Sequence, residues 1–279
     1  MKCCYINLDQ AAQRREDIEA SFAMAARPGW RLERFCALDA ASMKERSVEG
    51  STTWAEKACF MSHKAVIEAH SGKAEHLLVL EDDVAFGAAS FDIVDGFLQR
   101  NADADWDLLF LDISAVDIND MLTMYFNREK FMRQRMVIPL DLSKFRFFGT
   151  NSYIVNGRSF DKVLACLGSG MQIDTYYDIF LAERIRQGAL KAAVLFPFVT
   201  TLSPNASVSQ IQRSSMDTVN FARDIFRNMM WLESDPASLN KSLQQLEPMI
   251  AASRHAALAK VLTAICGDFD DPGFNSDAA

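Results

Sequence analysis

The 279 residues are 49% hydrophobic and 24% charged, the proportions of an ordinary globular chain long enough for one large domain or a main domain with an appendage. A net charge of −8 argues against a general nucleic-acid binder, and no apolar run reaches the length of a membrane span. Six scattered cysteines (Cys3, Cys4, Cys36, Cys59, Cys166, Cys266) form no CxxC pair, which argues against a zinc ribbon or a disulfide frame. Together with an N-terminus lacking a secretory pattern, they point to the cytoplasm.

Residues 3–8 read as a first strand. Asp9 is placed to cap a helix running to about residue 26, with Ile18 and Phe22 one turn apart and Pro28-Gly29 as the stop. Residues 32–38 read as a second strand ending at Asp39. Thr53-Trp54-Ala55-Glu56 fits a capping box for a helix over 54–71. Its expected buried stripe is Cys59, Ser62, Val66 and Ala69, with His63 at the edge as either a satisfied core histidine or a ligand-binding one.

The stretch Leu77-Leu78-Val79-Leu80-Glu81-Asp82-Asp83-Val84 runs an apolar strand into three carboxylates. Ligands of open α/β sheets bind at such strand ends. An extended chain would put Glu81 and Asp83 on one face and Asp82 on the other. Like charges about 4 Å apart repel by about 4 kcal/mol at an effective dielectric near 20, so a packed domain gathers them for a cation, for a basic partner, or at an exposed loop exit. Hard carboxylate oxygens suit Mg²⁺ or Mn²⁺.

Ser90 is placed to cap the next helix. Residues 106–112 repeat the pattern of an apolar strand closing on a carboxylate, here Asp112. Residues 113–146 read as irregular. Between 127 and 146, six basic residues stand against two acidic ones, fitting either a solvated helix face or contact with an anionic acceptor or membrane surface. A glycine-led strand over 148–155, a helix capped by Ser159 and a helix starting at 173–178 with Asp174 at its N-cap follow. Residues 192–199 form a last strand, with Pro197 at an edge or terminal position. A polar loop over 203–210 comes next. Beyond about 216 the pattern is helical, marked by Phe221, Ile225 and Met229, then Leu239 to Ile250, then Leu258 to Ile265. Residues 268–279 read as a disordered acidic tail.

Taken together, Tyr5-Ile6-Asn7-Leu8-Asp9 with Arg14-Arg15-Glu16, Ala37-Leu38-Asp39, Glu56 to His63, Leu78 to Val84, Gly149-Thr150 with Tyr153-Ile154-Val155, and Ile173-Asp174 resemble glycosyltransferase family 25 over residues 3–212. The bacterial members of that family include galactosyltransferases of lipopolysaccharide and lipooligosaccharide assembly. Ala58 departs from the glycine of the family's Glu-x-Gly-Cys-x-x-Ser-His pattern.

The resemblance implies an α/β, GT-A-like nucleotide-binding sheet flanked by helices. The expected organisation is a transferase domain over 1–212, a helical extension over 213–267 and the tail. It also implies a UDP-sugar donor, commonly UDP-galactose, a saccharide acceptor that in bacteria is often lipid-linked, Mn²⁺ or Mg²⁺, and inversion at the sugar carbon. The site implied is Glu81, Asp82 and Asp83 on the metal, with Asn7, Asp9, Arg14, Asp39 and His63 gripping the nucleotide. Asp174, and after it Asp112, is the candidate base. The location implied is cytoplasmic, including the inner face of the membrane as a peripheral protein. A metal-dependent phosphohydrolase or nucleotidyltransferase using the same strand end, and a non-catalytic binding protein on a degenerate transferase scaffold, stand as the competing readings.

Overall fold

A computed structural model describes residues 1–134, 136–168, 172–203 and 218–250. In chain order the first half comprises β1 (Lys2–Asn7), α1 (Ala12–Ala25), β2 (Arg31–Cys36), α2 (Ala40–Glu45), α3 (Trp54–His70), β3 (Leu77–Glu81), β4 (Val84–Phe86), α4 (Ser90–Arg100) and β5 (Leu108–Phe110). The second half comprises β6 (Ser114–Ala115), α5 (Ile118–Gln134), β7 (Ile138–Asp141), β8 (Phe147–Phe148), β9 (Ser152–Val155), α6 (Phe160–Leu167), α7 (Tyr177–Arg186), β10 (Ala192–Phe196), β11 (Thr200–Leu202), α8 (Thr218–Met229) and α9 (Pro236–Ile250). The third expected C-terminal helix, the acidic tail and the loop after Ser203 lie outside the described residues.

Seven strands form one sheet in the order β2-β1-β3-β9-β5-β10-β7. β1, β2 and β3 are mutually parallel, as are β5 and β10. β9, between β3 and β5, and β7 at the edge run against their neighbours. The α/β sheet with flanking helices expected from the sequence is therefore present. The carboxyl ends of β1, β3 and β5 and the start of β9 meet along one rim.

Alternation along each strand divides the core. Cys4, Ile6, Leu77 and Val79 face the cluster built with α3, α6, α7 and α8, whereas Cys3, Tyr5, Leu78 and Leu80 face α1 and α4. All four apolar residues of β3 are 0–1% exposed. At about 1.5–3 kcal/mol for each large aliphatic side chain buried, this strand is anchored far more firmly than the polar turn after it.

Local expectations changed where tertiary contacts outbid local chemistry. The Thr53–Glu56 capping box starts α3 as expected. Ser62 and Val66 of the expected stripe are buried, but Cys59 is half-buried and Ala69 exposed, and the buried arc widens to Phe60, His63, Ile67 and His70 because the sheet, α6 and α7 cover it from several sides. α1 starts at Ala12 without a side-chain cap, since Asp9 pairs with Arg34 instead. Ser90 is the first helical residue of α4 rather than its cap, and its hydroxyl accepts from Gly87 N and donates to Val199 O. The segment expected to be irregular, 113–146, contains the 17-residue α5. α7 begins at Tyr177, so Asp174 lies before the helix and not at its cap. Pro197 follows the last residue of β10, a strand inside the sheet.

Candidate functional site

After Glu81 the chain turns, and Val84 re-enters a strand. The turn overturns the two-face expectation, because it brings Asp82 and Asp83 to one guanidinium. Arg14, from the first turn of α1, donates from Nη1 to Asp82 Oδ1 (2.7 Å) and from Nη2 to Asp83 Oδ2 (2.8 Å). The remaining oxygens take amides: Asn7 Nδ2 donates to Asp82 Oδ2 (2.7 Å) and Asn151 Nδ2 to Asp83 Oδ1 (2.9 Å). Asn7 is itself held by Arg34, whose Nε donates to Asn7 Oδ1 (3.0 Å) while Nη2 reaches Asp9 (2.6 Å).

On the far side, Asn151 Oδ1 accepts from both Nη1 and Nη2 of Arg227 at 3.1 Å. Arg227 Nη2 also donates to Asp112 Oδ1, and Thr200 Oγ1 donates to Asp112 Oδ2 (2.9 Å). An unbroken polar chain thus crosses the rim from Asp9 on the β2 side to Thr200. Gly149 permits it: its φ of +89° is a backbone region that favours glycine, and a Cβ there would press on Asn151 Oδ1 at 3.3 Å.

Glu81 points toward a second, aromatic wall. Thr150 Oγ1 donates to Glu81 Oε1 (3.2 Å), and His63 Nε2 stands 3.5 Å from the same oxygen. That is an ion-pair distance rather than a hydrogen bond, and Nε2 has no hydrogen-bond partner among the described residues. His63 Nδ1 lies 3.0 Å from Tyr153 OH, which lies 2.9 Å from Tyr177 OH, and the His63 and Tyr177 rings stack at 4.3 Å. His63 is therefore buried behind Glu81, not at the helix edge.

The charges are unevenly compensated. Burial pushes Asp83 up to about 6, assisted by the like charge of Glu81 and opposed by Arg14 and Asn151. Burial also raises Asp82, despite Arg14 and Asn7. For Glu81 the same burial is outweighed by His63, Thr150 and Arg227, which hold it below the usual carboxylate range. Asp178, at the start of α7, is raised by burial although Gly149 N donates to its Oδ2 (3.1 Å).

A profile of glycosyltransferase family 25 (LPS biosynthesis protein) matches residues 1–180, from β1 into α7. The chain belongs to glycosyltransferase family 25. No curated protein matches it. Among solved structures it is similar to mouse xyloside xylosyltransferase 1 in its apo form, with 10% identity, 69% of this chain and 71% of that chain covered, and a TM-score of 0.36. It is also similar to galactosyltransferase LgtC in complex with donor and acceptor sugar analogs, with 10% identity, coverages of 70% and 73%, and a TM-score of 0.28. Family membership gives this chain a glycosyltransferase role.

The rim gathers Asn7, Arg14, His63, Glu81, Asp82, Asp83 and Asp112 into one connected group. Asp9 reaches it only through Arg34 and is exposed. Asp39 does not join it: its carboxylate caps α2 by accepting from Ser42 N (2.8 Å). Asp112 is fully buried, with both oxygens engaged by Arg227 and Thr200, and so is placed as a counter-ion. Asp174 is exposed, and its Oδ1 accepts from Ser51 N (2.8 Å), just before the α3 capping box. Gly50 makes this close pass possible, since a Cβ there would stand 2.1 Å from Ile173 O.

Arg34, Thr150, Asn151, Asp178 and Arg227 were not singled out by sequence reasoning. Asn151 follows a Gly-Thr pair that the resemblance had marked. Arg227 follows Arg223 by one turn of α8, as on many solvated helix faces, and carries no local signal.

Proposed function

We propose that this family 25 enzyme transfers a hexose, galactose before others, from a UDP-sugar to a saccharide acceptor with inversion. Its setting would be lipopolysaccharide or other surface-glycan assembly in the cytoplasm, including the inner membrane face. The observation that carries this reading is the acidic rim at the end of β3, where Asp82 and Asp83 share the single guanidinium of Arg14 and Glu81 adds a third negative charge beside Asp83.

The donor set fits a divalent cation in kind. Its oxygens are hard, Asp83 is raised in part by the repulsion of Glu81, and positive charge placed there would relieve that repulsion. Among the described residues no three His, Cys, Asp or Glu side chains are already drawn into a cage, and Arg14 spans Asp82 and Asp83 instead. Glu81, Asp82 and Asp83 are the residues that would hold Mn²⁺ or Mg²⁺. Such an ion, when bound, supplies positive charge to a departing diphosphate.

The protein's own groups do the rest. Arg14 is a planar, permanently charged fork, suited to bidentate contact with phosphate oxygens. Asn7 and Asn151 hold the two aspartates at fixed angles, which keeps the site organised before the donor arrives. His63, stacked on Tyr177 and backed by Tyr153, fixes the Glu81 side of the pocket.

Asp174 is the proposed base for the acceptor hydroxyl. It is exposed, and contacts with Ser51 hold its carboxyl below the usual range, so it stands ionised at neutral pH. Asp174 is tied to Ser51, just before the Thr53 cap of α3. A proton taken there leaves an alkoxide-like oxygen to attack the sugar carbon opposite the leaving diphosphate, and the anomeric configuration inverts.

The test is a panel of nucleotide sugars with Mn²⁺, read by release of the nucleoside diphosphate and by the anomeric configuration of the product. UDP released from UDP-galactose, with an inverted product, is expected. Turnover of no nucleotide sugar, with or without metal, overturns the reading.

A further inference from the structure

The family match ends at residue 180, yet the polar chain across the rim does not. It is completed by Arg227 on α8, which packs on β6 and β11. We propose that Arg227 is a positioning residue of the donor site, which orients Asn151 and through it Asp83, so that the helical extension is part of the working site. This inference rests on the donor reading above for its functional consequence, but not for its geometry.

Arg227 is 2% exposed. A guanidinium so deep is tolerated only when its charge and most of its N–H groups are matched. Asp112 supplies the charge and the Asn151 carbonyl accepts from Nη1 and Nη2, while Nε has no partner among the described residues. The second contact has a directional consequence. A side-chain amide has one accepting and one donating end. With a cation fixed at the accepting end, Asn151 must turn its NH₂ away, and that NH₂ meets Asp83 Oδ1 at 2.9 Å. Arg227 therefore sets which way the amide faces, and the amide sets the rotamer of the aspartate.

Without Arg227 the carbonyl of Asn151 loses its donors and faces the buried Asp112 carboxylate. Amide reversal would then give the Asn151 NH₂ to Asp112, which keeps only Thr200, at the expense of Asp83, which still has Arg14. Glu233, on the same extension, accepts from Ala88 N and Ala89 N at 2.8 Å at the start of α4. The extension is thus pinned at a second point, which keeps α8 at a fixed height over the rim.

The experiment compares Arg227→Met, Arg227→Lys, Asn151→Ala and the Arg227→Met/Asn151→Ala double variant in the full chain. It reads melting temperature, the affinity for uridine diphosphate with Mn²⁺ by calorimetry, and the crystal structure of Arg227→Met. Should Arg227→Met be too unstable to purify, Arg227→Lys and Arg227→Lys/Asn151→Ala, which keep a positive charge beside Asp112, take its place. Affinity is expected to fall about tenfold in each single variant, and about tenfold rather than a hundredfold in the double, because both act through one amide. Arg227→Lys should restore melting temperature by pairing with Asp112 but leave affinity low, since an ammonium on a shorter stem lacks the second nitrogen, Nη1, that also holds the Asn151 carbonyl. The variant structure should show the Asn151 NH₂ turned off Asp83. An amide still donating to Asp83, additive losses, or full recovery of affinity with lysine overturns the proposal. A turned amide in a protein whose wild type binds no uridine diphosphate upholds the positioning role and overturns the donor reading instead.

Discussion

Two aspartates at opposite ends of the sheet, one buried and one half-buried, behave in opposite ways. Asp107, just before β5, is 3% exposed and fully matched: Ser159 Oγ donates to Oδ1 (2.8 Å), while Lys162 Nζ and Lys191 N share Oδ2. Burial alone would raise it, but Lys162, the Lys191 amide and Ser159 outweigh burial and hold it below the usual range. Asp83, after β3, is pushed up to about 6 by burial and by the like charge of Glu81, which Asn151 and an Arg14 shared with Asp82 do not offset. Burial therefore does not distinguish a site from a strut. What distinguishes them is whether the charge is already spoken for.

The sharpest way to break this contrast is at Asp83. Asp83→Ala is expected to abolish metal-dependent donor turnover while the far-ultraviolet circular dichroism stays that of wild type. Retained turnover with unchanged metal dependence would remove it from the site. In chelator, the ionised Asp83 penalises the folded state. Its folded value lies above the ordinary 3.8, so the stability it contributes is present below 3.8 and lost as pH rises toward about 6. Asp83→Asn should thus be more stable than wild type above pH 6 and equal to it near pH 4, read from urea midpoints.

Asp174→Asn is next in size. Transfer to acceptor is expected to drop by about 10²–10⁴-fold with donor affinity intact. Asp178→Asn in parallel tells whether the buried neighbour, and not the exposed residue, takes the proton. The contrast at the other end then predicts a purely structural loss. Asp107→Asn should cost about 1–3 kcal/mol, with donor affinity unchanged. Because its folded value is depressed, that contribution is present above 3.8 and disappears as pH falls through the folded value, the reverse of Asp83. Smallest is Ser159→Ala, which removes one bond to Asp107 and should cost about 1 kcal/mol in chemical denaturation, again without effect on the donor.

Much of the sheet was legible because β1, β3 and the α3 capping box are local statements: an apolar run, or a cap and its partner three residues on. The acidic cluster was legible for the same reason, being three consecutive side chains. The turn that folds Asp82 and Asp83 onto Arg14 was not legible, since a strand rule assumes that the chain stays extended. Nor were the placements of Asp9 and Ser90. Each is a good helix cap by type, and each met a tertiary partner that sequence does not order. α5 escaped because charges interrupt its apolar face: Arg128 lies buried in it and donates to Trp231 O, a contact across a hundred residues. The membrane question raised by the basic stretch narrows accordingly, since Arg128 faces inward and Arg133 pairs with Glu129. No helix among the described residues is long and apolar enough to cross a bilayer.

The reversed strand β9 has a consequence for biogenesis. During synthesis β1, β2 and β3 emerge early, and β5 follows, yet neither half can zip to the other until residue 155 has left the ribosome. Until then β3 and β5 present bare flanks whose unpaired amides and carbonyls invite pairing with other chains. A truncation or a pause before residue 152 should therefore yield insoluble protein, while a break after β10 leaves all seven strands available to join.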